Sequence, residues 1–253
     1  MMKFQRLFAS IGAVVVLAAA PSAQTAPAQG GPTPLQQNDE ILRELRAIRM
    51  LLEKVIAPQP TAPPQPTIGR VTNLKGYALG RADAPLTMVE FTDLQCPFCR
   101  QFVMTSFDEI KKNWIDTGKL RYISRDFPLD FHAQAMPAAR AARCAGEQGK
   151  FWEMRLGLMR NANLLSPEYI AKVAGDLKLD ARPFSSCLGS SKHDAEIQAE
   201  MAEGTRLGVS GTPTFVMGRT TAAAVEGPMA VGALPYAKFD AMLKELLAAA
   251  GGR

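Results

Sequence analysis

The chain has 253 residues, 47% of them hydrophobic and 21% charged, with a formal net charge of +5 at pH 7. That apolar share is enough for a packed core and argues against global disorder. The positive charge is mild and forms no dense Lys/Arg run, which sets nucleic acid aside as a partner.

Residues 1–23 read as a secretory signal peptide. Lys3 and Arg6 precede an apolar run from Leu7 to Ala20, and small residues, Pro and Gln follow. An apolar run of roughly 14 residues is short for a membrane span, which takes about 20. An uncleaved N-terminal anchor is the other reading. Cleavage predicts a periplasmic or secreted protein, in a compartment where disulfides persist. Residues 24–34 are rich in Ala, Pro, Gln and Gly and are expected to be disordered.

Residues 35–56 contain no Gly or Pro and are periodic. Asn38, Leu45 and Leu52 fall seven apart, and Ile41, Ile48 and Val55 do the same, offset by three. This is the a/d seam of a coiled-coil-like helix, with Glu44 at g and Arg49 at the next e position suited to an inter-helix ion pair. Residues 57–67 carry Pro58, Pro60, Pro63, Pro64 and Pro66, an extended linker at roughly 3.1 Å per residue. A helix held away from its domain needs another partner for its seam. The reading is an oligomerisation helix joining copies of the chain; a helix packed on its own domain is the alternative.

The main domain is expected over 68–253, with strands near Leu86–Phe91, Leu120–Arg125, Thr214–Met217 and Val225–Glu226. Helices are expected near 97–117, 133–147, 151–159, 167–177, 181–189, 192–207 and 236–249. The stretch at about 129–208 is almost wholly helical and reads as an insertion into a small α/β domain.

Cys96-Pro97-Phe98-Cys99 lies where the first of these strands gives way to a helix. A lone CxxC is a redox dithiol, half a zinc site or an incidental pair, and a zinc ribbon needs a second close pair that Cys144 and Cys187 do not form. The position favours redox chemistry. Unpaired N–H groups and the dipole at a helix N-terminus favour an anion, and the thiolate is the attacking species, so Cys96 is the candidate nucleophile. Pro97 suits the first helical position because its missing N–H costs no intrahelical bond.

The stretch Val89-Glu-Phe-Thr-Asp-Leu-Gln-Cys-Pro-Phe-Cys99 resembles the active-site strand of the DsbA-like branch of the thioredoxin superfamily. Gly211-Thr-Pro-Thr-Phe215 is similar to that superfamily's cis-proline loop. Phe127-Pro-Leu-Asp-Phe-His132, Glu147-Gln-Gly-Lys-Phe-Trp152 and Phe184-Ser-Ser-Cys-Leu188 match further landmarks. The resemblance covers about Leu74 to Leu247 and implies a thioredoxin fold with an inserted helical domain. It implies that Cys96 attacks a substrate disulfide and that Cys99 resolves the mixed disulfide. Thr212 and Pro213 are implied to face the dithiol and bind an extended substrate segment. Glu90, on the strand face opposite Val89 and Phe91, matches the buried acid expected to handle the Cys99 proton. His132 is expected to be structural.

Members of the branch with His at position 98 gain a cation beside the thiolate; Phe98 supplies none. Each unit by which the Cys96 pKa falls favours its thiolate by about 1.4 kcal/mol, or about 30 mV if wholly transmitted to the redox couple. A less oxidising centre is therefore expected. In an exported chain with four cysteines, pairing Cys144 with Cys187 is the simplest arithmetic, with free buried thiols or a second redox pair as alternatives.

No metal and no cofactor beyond the Cys96–Cys99 dithiol is expected. Three functions follow. The first is an oligomeric protein disulfide oxidoreductase and isomerase acting on cysteine-containing exported proteins, served by a membrane or periplasmic redox partner. The second is a monomeric dithiol oxidant, and the third a Cu(I)-binding protein.

Overall fold

The structure is a computed structural model that describes residues 34–56, 67–221 and 223–251. The expected signal peptide, the segment 24–33 and most of the Pro-rich linker lie outside the described residues. Two compact units divide at residues 62 and 63.

The first unit contributes helix α1 (Pro34–Ile56). Pro34, grouped above with the disordered lead, opens this helix. Ile41, Leu45, Ile48 and Leu52, the expected seam, are all exposed.

The second unit is built on six strands: β1 (Ile68–Val71), β2 (Ala78–Leu79), β3 (Leu86–Thr92), β4 (Leu120–Asp126), β5 (Thr214–Arg219) and β6 (Val225–Val231). They form one sheet in the order β1-β6-β5-β3-β4-β2. β3 and β4 are parallel and the other pairs antiparallel. β1 and β2 were not anticipated, and β6 runs past the expected Val225–Glu226 to Val231.

A parallel β3–β4 pair needs a crossover. It is supplied by α2 (Pro97–Phe102) and α3 (Asp108–Ile110), joined into one helical rod by π-helical turns at Val103–Phe107 and Lys111–Ile115. Gly118, at φ 74°, ends the rod in a left-handed conformation that glycine adopts without steric cost. Between β4 and β5 come α4 (Ala135–Gly146), α5 (Phe151–Arg160), α6 (Pro167–Asp176), α7 (Ala181–Gly189) and α8 (Asp194–Arg206). α9 (Tyr236–Gly251) follows β6.

β3 is central and buried along its whole length, so alternation divides its side chains between two cores rather than between core and water. Leu86 and Met88 join the larger core, with Phe102, Phe107, Phe215 and Phe239. The Phe102 ring lies 4.7 Å from Phe215 and 5.4 Å from Phe239, which fixes the rod and α9 against β5. Val89 and Phe91 join the opposite core, with Val216, Val225 and Met201 of α8. Burying one such phenyl ring is worth roughly 1.5–3 kcal/mol.

A buried ionic cluster ties the helical block to the end of β4. Arg143 of α4 donates to Asp126 (2.6 Å), Glu196 (2.7 Å) and Glu200 (2.7 Å). Arg125 donates to Glu200 at 3.0 Å and to the backbone of the β1–β2 connection at Asn73 and Lys75. Buried charges persist only when paired, so Asp126 and Glu200 hold the arginines in place, while Glu196 meets Arg143 from the exposed side.

Candidate active site

Cys96 is the N-cap of α2, in extended backbone, with Pro97 next and the Arg100 amide donating to the Cys96 carbonyl at 3.0 Å. Three consequences follow from that cap position. Cys96 sits at the positive end of the rod, Phe98 points outward and is 59% exposed, and Cys99 lies one turn deeper with no exposure. Both thiols are free.

The Cys96 thiol donates to the Thr212 carbonyl at 3.3 Å, and the Thr212–Pro213 peptide bond is cis. A hydrogen bond from Cys99 is the largest influence drawing Cys96 down, to a pKa of about 6. The Cys99 and Phe98 backbone N–H groups help, and burial opposes them. Cys99 moves the other way. Burial chiefly, then the bond to Cys96 and the charge of Glu90, hold its thiol well above its ordinary value. Both sulfurs are buried, Cys96 at 3% exposure and Cys99 at none, so the two differ in acidity, Cys96 as the readier thiolate and Cys99 as the held thiol, the division a nucleophile and a resolving group require.

The loop before Cys96 is fixed by Asp93, which is buried. Its carboxylate accepts from the Gln95 amide (2.7 Å), the Leu129 amide (2.8 Å) and His132 Nδ1 (2.8 Å). Gln95 in turn accepts from the Gln134 amide at 2.7 Å. His132 is therefore a brace for the loop and does not contact either thiol through any of these bonds. Beside Cys96 opens a cavity of about 510 Å³ lined by Gln95, Pro97, Arg100, His132, Ala162 and Asn163. Phe98, Phe131 and Leu164, each next in sequence to a lining residue, are exposed.

Glu90 is fully buried on the face of β3 that looks toward α2, as alternation requires. It is not a lone acid. Its Oε2 accepts from both Tyr122 of β4 and Arg155 of α5. Burial and the Glu90 charge push the Tyr122 hydroxyl well above its ordinary pKa. Sequence reasoning overlooked Tyr122 and Arg155. A signal for Arg155 exists: Phe151, Met154, Leu158 and Met159 form the buried stripe of α5, and Arg155 falls within it. An arginine on an apolar helix face requires a buried acid.

Cys144 of α4 and Cys187 of α7 form a disulfide with Cα atoms 5.7 Å apart. It lies in the helical block, on different elements from the Cys96–Cys99 pair.

Comparison with known proteins agrees with this architecture. The family model described as thioredoxin matches residues 72–234. Among solved structures, alpha-DsbA1 of Wolbachia pipientis superposes with a TM-score of 0.61 at 23% identity, covering 76% of this chain and 95% of that one. BdbD of Bacillus subtilis gives 0.61 at 21% identity, over 72% of this chain and 98% of that one.

Curated relatives include proteins named Na(+)/H(+) antiporter NhaA. That of Salinispora tropica is 34% identical over 71% of this chain and 26% of the relative. That of Salinispora arenicola is 38% identical over 56% and 21%. The chain thus spans about a quarter of the length of these relatives. Among the described residues, no helix is long and apolar enough to cross a membrane.

Proposed function

The chain belongs to the thioredoxin family and has the DsbA-like form of its fold, and from that premise we propose an exported thiol–disulfide oxidoreductase acting on cysteine-containing proteins. The observation that carries this reading is the asymmetry of the two thiols. Cys96 caps a helix with its pKa drawn down to about 6, and Cys99 is buried behind it with its pKa raised.

In the reaction, the Cys96 thiolate attacks one sulfur of a substrate disulfide. A Cys96–substrate bond forms, the substrate S–S bond breaks, and the departing sulfur leaves as a thiolate that takes a proton. Cys99 then loses its proton and attacks Cys96 Sγ. The Cys96–Cys99 bond forms and the substrate's second sulfur is released, so the substrate gains two electrons and the enzyme loses two. Run backward, the same steps oxidise a dithiol substrate. The Thr212 backbone beside Cys96 and the exposed Phe98 of the dithiol turn suit an extended, unfolded polypeptide.

The finer reading is isomerisation by a homo-oligomer assembled through residues 35–56, recharged by a membrane or periplasmic redox partner. The exposed seam of α1 supports self-association, and several dithiols on one assembly raise the effective concentration of a second attack on a held client. Refolding of scrambled ribonuclease tests both levels. Activity that is lost in Cys96→Ser supports the oxidoreductase. Activity that falls when the chain is shortened to start at Ile68 supports the assembly, and equal isomerisation by the shortened chain refutes it.

A further inference from the structure

We propose that Arg155 is a positioning residue for the resolving step, reaching from the inserted helices into the sheet to hold Glu90 against Tyr122 and balance the charge that faces Cys99. The inference rests on the oxidoreductase reading above and adds a residue that the CPFC motif and the cis-proline loop do not contain.

The geometry is specific. Arg155 is fully buried, and its Nη2 donates to Glu90 Oε2, the same oxygen that accepts from Tyr122. Its guanidinium also lies 5.5 Å from the Trp152 ring on its own helix. Arg155 Nε and Nη1 and Glu90 Oε1 have no hydrogen-bond partner among the described residues. The contact is thus a single shared oxygen and not a closed two-bond fork. A pair built only to join α5 to the sheet would gain more from a bidentate fork.

Glu90 of β3, Arg155 of α5, Tyr122 of β4 and Cys96 at the cap of α2 act on Cys99, and the backbone of Asp93 favours its thiolate. Asp126 acts on Arg155 from the end of β4. Resolution places a second negative charge here, because the Cys99 thiol must give up its proton before its sulfur attacks Cys96 Sγ and expels the substrate thiolate. Burial and Glu90 oppose that charge, and Arg155 offsets the Glu90 part. The two residues therefore act on Cys99 with opposite sign.

The test follows release of glutathione from the Cys96–glutathione mixed disulfide in single turnover, as a function of pH. Arg155→Met is expected to move the pH midpoint of release up by about one unit or more, which is about tenfold slower release at a fixed lower pH. Glu90→Gln is expected to move it down. Glu90→Gln with Arg155→Met is expected to return it toward wild type, and Arg155→Lys to keep most of the wild-type profile. If Arg155→Met does not fold, by near-ultraviolet circular dichroism, the double variant compared with Glu90→Gln decides the matter.

Midpoints that move in the same direction, or a double variant no nearer wild type than Glu90→Gln, overturn the inference. Failure of the Cys99→Ser protein to take up glutathione at Cys96 overturns the oxidoreductase reading instead, and this inference with it.

Discussion

Cys96 Sγ and the Thr212 carbonyl oxygen lie 3.3 Å apart although 116 residues separate them in the chain. The contact brings the start of the rod against the loop ahead of β5, so the dithiol and the cis-proline loop lie side by side. Removing either thiol should divide the reaction. Cys96→Ser should abolish exchange, whereas Cys99→Ser should accumulate a mixed disulfide, visible as an added mass on intact protein. Exchange that survives in Cys96→Ser would sink the assignment.

The lowered Cys96 pKa predicts alkylation by iodoacetamide that is half-maximal near pH 6. The bond from Cys99 is its largest cause, so Cys99→Ala should shift the midpoint upward. An unchanged midpoint in Cys99→Ala would contradict this ordering.

The same group links stability to pH in the reduced protein. Folding depresses the Cys96 pKa, so between about 6 and its ordinary value near 9 the folded chain binds fewer protons than the unfolded one. Stability should therefore rise with pH across that window and be lost as pH falls through about 6. Urea midpoints of reduced wild type and Cys96→Ser, measured from pH 6 to 9, should diverge as pH increases. Parallel curves would refute the linkage.

Much of this was legible from periodicity. The α4 to α9 helices fall within a few residues of their expected limits because each carries an apolar stripe or a clear breaker. β1 and β2 were hidden for a physical reason. Four and two residues long, they draw their order from β6 and β4 and have little pattern of their own. β6 runs on past the expected limit at Glu226 because Gly227 and Pro228, residue types common in turns, both pair with β1. The dithiol and the proline loop are contiguous motifs and could be read directly. The Glu90–Arg155 pair joins positions 65 apart; the apolar stripe of α5 marks Arg155 as needing an acid, but no local pattern says which one.

The Cys144–Cys187 bond joins residues 43 apart in sequence. In the chain-entropy model, closing a loop of that size is worth roughly 4 kcal/mol. Replacing both cysteines with serine should cost about that much in urea denaturation while leaving alkylation of Cys96 at its wild-type pH midpoint. A shifted midpoint would mean that the bond influences the active site.

The Arg143–Asp126–Glu200 cluster predicts an uneven response to substitution. Arg143→Met strands buried carboxylates and should cost about 3–5 kcal/mol. Arg140→Met, which breaks the half-exposed pair with Asp194, should cost about 1 kcal/mol or less. Equal losses in chemical denaturation would show that the burial contrast does not govern them.

Arg155 also bears on what can be transplanted. A designer who treats the block between β4 and β5 as an interchangeable cassette would cut through an electrical circuit. The sheet carries the negative pole at Glu90 and the cassette the positive one. A foreign block without an arginine at that place would leave the core polarised beneath the dithiol, even if every helix packed well. Chimaeras of this scaffold should therefore be cut so that Glu90 and Arg155 come from the same parent.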